Sequence, residues 1–113
     1  MPEIPIVYVE LPSNGVAADK QFYGSLFGWS FQDYGPDYAS FSDSGLAGGL
    51  NGSNEGRPKA PLLVLDTDDL EAMLARVVAA GGTISLPIFS FPGGRRFHFT
   101  DPSGNELAVM QRQ

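Results

Sequence analysis

The chain has 113 residues, a formal net charge of −6 and no cysteine. That length suits one compact domain with its own core, and the lack of thiols excludes a disulfide framework and a thiolate metal centre. The negative balance disfavours nucleic acid, whose phosphates need a basic footprint. No run is long and apolar enough for a membrane span or a signal peptide, so a cytoplasmic setting is expected.

In chain order, PIVYVELP (residues 5–12) alternates as a strand, with Val7, Val9 and Leu11 set against Tyr8 and Glu10. Ser13-Asn14-Gly15 offers a cap for a helix over VAADKQFYGSLFG, in which Phe22 and Leu26, and Tyr23 and Phe27, form i,i+4 pairs on one face. Gly28 suits the helix C′ position. Short strands follow in WSFQDY, DYASFSD and LAGGLNG, with a turn at Asp43-Ser44-Gly45. SNEGRPKAP then reads as a polar linker.

The pattern restarts with PLLVLDT as a strand. Asp68 and Glu71 suggest a capping box for a helix over LEAMLARVVAA, ended by Gly81-Gly82. TISLPIFSF is a strand interrupted by Pro87, hence an edge or a bulge. RRFHFTDPSGNELAVM is a β-hairpin around a type I turn at Asp101-Pro102-Ser103-Gly104. Pairing of Asp101 with Asn105 sets His98, the only histidine, opposite Ala108, and puts Arg96, Glu106 and Met110 on the same face.

Strand, helix and three strands therefore occur twice. The halves span about 3–52 and 61–113, joined by a linker at 53–60, and the whole of 1–113 is expected to form one domain. ASFSDSG echoes HFTDPSG, with Phe41 and Asp43 each 58 positions before Phe99 and Asp101. Each half is expected to lay one helix over one side of a four-stranded sheet, as an α+β fold with pseudo-twofold symmetry. The Gly-Gly pairs at 48–49, 81–82 and 93–94 lack the strand-to-helix setting of a phosphate loop and read as turns and caps.

FYGSLFGW after the first strand, Gly81-Gly82 after the second helix and FTDPSGNELAVMQ near the end resemble the vicinal oxygen chelate superfamily. That group includes glyoxalase I, ring-cleaving dioxygenases and bleomycin-resistance proteins, and the resemblance covers nearly the whole chain. It implies two tandem βαβββ modules forming a cupped mixed sheet, often in a homodimer, with a divalent metal held in the enzymes by four side chains. Carried over residue by residue, the metal positions fall on Tyr8, on a residue within Leu46 to Leu50, on Leu62 and on Ala108. Only Tyr8 has a donor atom, and a tyrosine is a poor ligand while protonated near neutral pH.

Read against that cup, strand alternation makes Tyr8, Glu10, Tyr38, Ser40, Leu62, Val64, Asp66, Arg96, His98, Glu106, Ala108 and Met110 inward-facing. The expectation is a metal-independent, glyoxalase-like or bleomycin-resistance-like protein with no cofactor, binding a small aromatic or amphipathic molecule. His98 is the candidate general base of the alternative, an enzyme that uses acid–base chemistry or an atypical metal site. Within the binding reading His98 hydrogen-bonds a neighbour, Glu106 or Tyr8. Arg96 suits a carboxylate or phosphate. Trp29 and Phe31 are expected to pack beneath the first helix end, and Phe89 and Phe91 to form a lip or an oligomer contact.

Overall fold

A computed structural model describes residues 4–113. The elements are β1 (Ile6–Pro12), α1 (Val16–Phe27), β2 (Ser30–Asp33), β3 (Tyr38–Ser42), β4 (Gly48–Asn51), β5 (Leu62–Asp66), α2 (Leu70–Ala79), β6 (Thr83–Phe91), β7 (Gly94–Thr100) and β8 (Glu106–Arg112). This is βαβββ twice, as the sequence pattern implies. The chain partitions into two compact units, Tyr8–Leu62 and Leu63–Gln113, the latter including the described residues up to Val7.

In the unit Tyr8–Leu62 the strand order is β2-β3-β4-β1. β4 runs antiparallel to β3 and parallel to β1. Val16, Ala39, Phe41 and Leu50 form its core, with Val9, Leu11, Tyr23, Trp29 and Phe31 packed around them. Trp29 stacks on Tyr23 and Phe41, with ring centroids 5.0 and 4.7 Å apart, so it packs at the helix end. Gly28 ends α1 at φ 75, its N–H donating to the Gly24 carbonyl.

Two expectations for α1 change. Its start has no side-chain cap at Gly15; the Ser13 hydroxyl accepts from the Gly15 N–H and donates to Asp19 instead. The paired aromatic stripe is split as well. The helix period turns Tyr23 toward the core, while Phe22, Leu26 and Phe27 stay 57, 58 and 57% exposed. The segment read as a linker is tied to this unit, because Arg57 donates to the Ser13 carbonyl and to Asn14 Oδ1.

In the other unit the order is β5-β8-β7-β6. Its core is Leu70, Phe97 and Val109, with Met73, Leu74, Val77, Ile84, Ile88 and Phe99 packed against it. Burying such side chains contributes on the order of 2 kcal/mol each. β6 is the edge strand, and its pairing with β7 slips on both sides of Leu86. The expectation drawn from Pro87 therefore holds, since proline cannot donate to a ladder. Gly81 ends α2 at φ 100.

The α2 cap lies one residue later than expected. Asp69, not Asp68, is the N-cap, and its carboxylate accepts from the Ala72 N–H at 3.1 Å. Gln111 of β8 explains the shift: it donates to the Asp68 carbonyl and accepts from the Leu70 N–H, both at 2.9 Å. Glu71 makes a bidentate pair with Arg95 rather than closing a capping box.

The closing hairpin has the expected register, with His98 opposite Ala108 and Phe99 opposite Leu107. Asp101 organises its turn, accepting from the N–H groups of Ser103 and Asn105 and from the Asn105 side chain. The echo between the halves is structural too. Ser40 pairs with Gly49 as His98 pairs with Ala108. The second hairpin turn is one residue longer, so Gly49 is the counterpart of Ala108.

Two outcomes follow from these contacts. Asp69→Ala should cost about 1 kcal/mol in urea unfolding, whereas Asp68→Ala should stay within about 0.5 kcal/mol; equal losses would contradict the assigned cap. The Asp101 carboxyl is held below the usual carboxylate range, first by the Asn105 side-chain bond. Its contribution is therefore present above the unfolded-state value and lost as pH falls through the lower folded-state value. In Asp101→Asn the melting temperature should depend less steeply on pH across that acid range.

Candidate functional site

In the unit Tyr8–Leu62, residues facing the helix alternate with residues facing away from it. The second set includes Tyr8 and Glu10 on β1, Tyr38 and Ser40 on β3, and Gly49 and Asn51 on β4. Gly49 pairs with Glu10 on one side and Ser40 on the other, and Asn51 pairs with Tyr38. Glu10 is only 4% exposed. Its carboxylate accepts from Asn51 Nδ2 at 3.0 Å and from the Tyr38 hydroxyl at 3.4 Å. The Tyr38 hydroxyl is also 2.5 Å from the Tyr8 hydroxyl. Burial raises the Tyr38 pKa, and the bond to Tyr8 and the charge on Glu10 raise it further, so the phenol stays protonated.

Asn51 is the residue the sequence reading missed. Its Oδ1 accepts from the N–H and hydroxyl of Ser53, and its Nδ2 also reaches the Gly56 carbonyl. One side chain thus fastens the loop after β4 to the buried carboxylate. The signal was present, because Asn51 stands two residues beyond Gly49 and so shares its face.

The Gly48-Gly49 pair is not a turn, as its composition suggests, but part of a buried strand. A Cβ on Gly48 would strike the Phe41 ring and the Val9 carbonyl. A Cβ on Gly49 would strike the hydroxyls of Tyr38 and Tyr8, well inside contact distance. Glycine is needed here for close approach, not for an unusual backbone angle.

In the other unit, register places the expected residues in two rows. Val64 pairs with Ala108, Ala108 with His98, and His98 with Leu86. Asp66 pairs with Met110, Met110 with Arg96, and Arg96 with Phe89. Val64 and Ala108 are buried, and His98 is 8% exposed. His98 Nδ1 lies 3.4 Å from Glu106 Oε2, which accepts from the Ser85 hydroxyl at 2.9 Å. The Arg96 guanidinium carbon sits 5.3 Å from the Phe89 ring centroid and 5.6 Å from that of Phe91, within cation–π range. Asp66 Oδ2 lies 3.8 Å from Arg112 Nη2.

The residues at the metal positions implied by the resemblance do not fit a divalent ion. The internal register assigns the position left open within Leu46 to Leu50 to Gly49, the counterpart of Ala108. Leu62 is buried and apolar, as is Ala108. Above Gly49 the space a ligating side chain would need is filled by two phenols. Among the described residues, no group of three or more His, Asp or Glu side chains is arranged to hold an ion. Also among the described residues, no helix is long and apolar enough to cross a membrane.

Comparison with known proteins agrees with this architecture. The chain is 31% identical over 115 residues to the putative glyoxylase CFP32 of Mycobacterium bovis, covering 92% of this chain and 44% of that protein. It is 31% identical over 126 residues to the anthracycline biosynthesis protein DnrV of Streptomyces peucetius, covering 93% of this chain and 46% of that protein. The chain thus spans less than half the length of these relatives. The Mn(II)-bound glyoxalase of Novosphingobium aromaticivorans shares the fold, with a TM-score of 0.64 and 24% identity over 96% of this chain and 38% of that one. The model of the Glyoxalase/Bleomycin resistance protein/Dioxygenase superfamily matches residues 6–109, and the chain belongs to that superfamily.

Proposed function

We propose that this protein binds a small aromatic or amphipathic molecule on the strand faces turned away from its helices, without a resident divalent ion. The observation that carries this reading is the pair of phenols over Gly49, standing where the family's metal-ligating side chain would project. Such a face recognises by shape and a few polar contacts, as small-molecule sites commonly do. In the other unit, Arg96 beside Phe89 and Phe91 offers a cation next to aromatic surface. The relative named for anthracycline biosynthesis supports an aromatic ligand, because anthracyclines are fused-ring aromatics. A homodimer and a cytoplasmic setting belong to the same reading, isologous pairs being the commonest assembly.

One observation favours a second reading, an acid–base enzyme. Glu106 Oε2 beside Nδ1 orients the His98 ring, and Ser85 steadies the carboxylate. An oriented imidazole at the edge of a ligand face is equipped to move a proton at neutral pH.

Untagged protein should retain no stoichiometric divalent metal after dialysis, measured by elemental analysis; a bound equivalent of Mn, Fe, Ni or Zn would overturn the metal-independent reading. Gly49→Ala should cost about 1–3 kcal/mol in urea unfolding by overpacking against the two tyrosines, and a neutral substitution would remove the observation on which the reading stands. His98→Gln should weaken ligand binding by roughly 1 kcal/mol while leaving the fold intact. Loss of turnover on an identified substrate, with binding retained, would instead select the enzyme.

A further inference from the structure

Asparagine is followed by glycine twice in the chain, at Asn14-Gly15 and Asn51-Gly52. In such a pair the glycine nitrogen can attack the asparagine Cγ, because no Cβ hinders its approach. At Asn14 the ring that forms contains Gly15 N and the C, Cα, Cβ and Cγ of Asn14, so no distant group has to be brought up. Two things slow the reaction: the N–H must lose its proton, and a carboxamide is a poor electrophile. Asn14 is placed where both are addressed. The Gly15 N–H donates to the Ser13 hydroxyl at 3.2 Å, and that hydroxyl donates to the Asp19 carboxylate at 2.5 Å. Asn14 Oδ1 accepts from the Arg57 guanidinium at 3.0 Å. We infer that Asn14-Gly15 is a built site of self-modification, where Ser13 relays the amide proton to Asp19 while Arg57 stabilises charge on the carboxamide oxygen.

The Gly15 nitrogen forms a bond to Asn14 Cγ, and its proton passes through Ser13 to Asp19. The bond from Cγ to the amide nitrogen then breaks, and that nitrogen leaves as ammonia with the proton returned by Asp19. Asn14 is exposed, so water reaches the cyclic imide and opens it to aspartate or isoaspartate. The new carboxylate lies where Arg57 already donates. A carboxamide contact between the start of α1 and the loop after β4 becomes an ion pair.

Asn51-Gly52 has the same two residues in a different setting. Asn51 is 8% exposed, and its carboxamide donates to Glu10 and to the Gly56 carbonyl while accepting from Ser53. The Gly52 N–H donates to the Asp37 carbonyl at 2.7 Å. A peptide oxygen accepts a hydrogen bond but is too weak a base to remove the proton. The fold thus primes one asparagine and locks the other.

The test is to hold purified protein at neutral pH and body temperature, in native buffer and unfolded in urea. Tryptic cleavage after Lys20 separates the two asparagines, and mass spectrometry reads amide-to-acid conversion at each. In native buffer Asn14 should convert at least about tenfold faster than Asn51, and at least about tenfold faster than Asn14 itself in urea, a modest share of what a positioned base supplies. In urea the two asparagines should convert at similar rates. Asp19→Asn keeps the acceptor and removes the base, and Arg57→Met removes the donor to Oδ1; each should bring the native rate down toward the unfolded one. Conversion of Asn14 that is as slow in native buffer as in urea, or a native rate unchanged in both variants, would overturn the inference. If one variant loses its folded ¹⁵N spectrum, the other decides together with the comparison between native buffer and urea.

Discussion

Each module has one helix to cover one side of a four-stranded sheet, and a strand shows its two sides alternately. Every second residue must therefore be apolar, while the residues between are released from that demand. In the first module Val9, Leu11, Phe41 and Leu50 meet the helix side, and in the second Phe97 and Val109 do. The residues between them, Tyr8, Glu10, Tyr38 and Asn51, or Arg96, His98 and Met110, are those with chemistry to offer. Both rows of candidate residues descend from that single constraint.

The two modules have used this freedom differently. The first has buried a carboxylate that accepts from a carboxamide and a phenol, and that phenol is hydrogen-bonded to a second. Burying a charge is costly unless it is hydrogen-bonded, and Asn51 meets the cost by drawing on the loop backbone behind it. The second module sets a guanidinium beside two phenylalanine rings and buries an imidazole next to an exposed glutamate. At the equivalent β4 and β8 positions stand Gly49 and Ala108, the smallest residues available. In one case the space is taken by tyrosines; in the other it lies between Val64 and His98 in the ladder.

Much of this was legible before any coordinates. The element order, the DPSG hairpin with its register and the edge character of β6 follow from local rules, because turn chemistry and proline act over a few residues. The site was less legible. His98 beside Glu106 could be read from alternation, since both lie on one hairpin. The bond from Asn51 to Glu10 spans distant sequence, and nothing near either residue announces it. The α2 cap moved by one residue for the same reason: Gln111, far along the chain, takes the backbone groups on either side of Asp69.

The sequence by itself determined the repeated βαβββ order, the face on which each candidate residue stands, and the lack of donor atoms at Leu62 and Ala108. These depend on periodicity and side-chain identity, which are local. Only the tertiary structure decided that Gly48-Gly49 is a buried strand rather than a turn, and that Tyr8 and Tyr38 meet above it. It likewise decided that Phe22, Leu26 and Phe27 remain exposed despite their apolar side chains. The reason is the same in each case. Whether a glycine marks a bend or a close approach, and whether an aromatic is buried or exposed, depends on which other segment lies against it, and that partner is not adjacent in the chain.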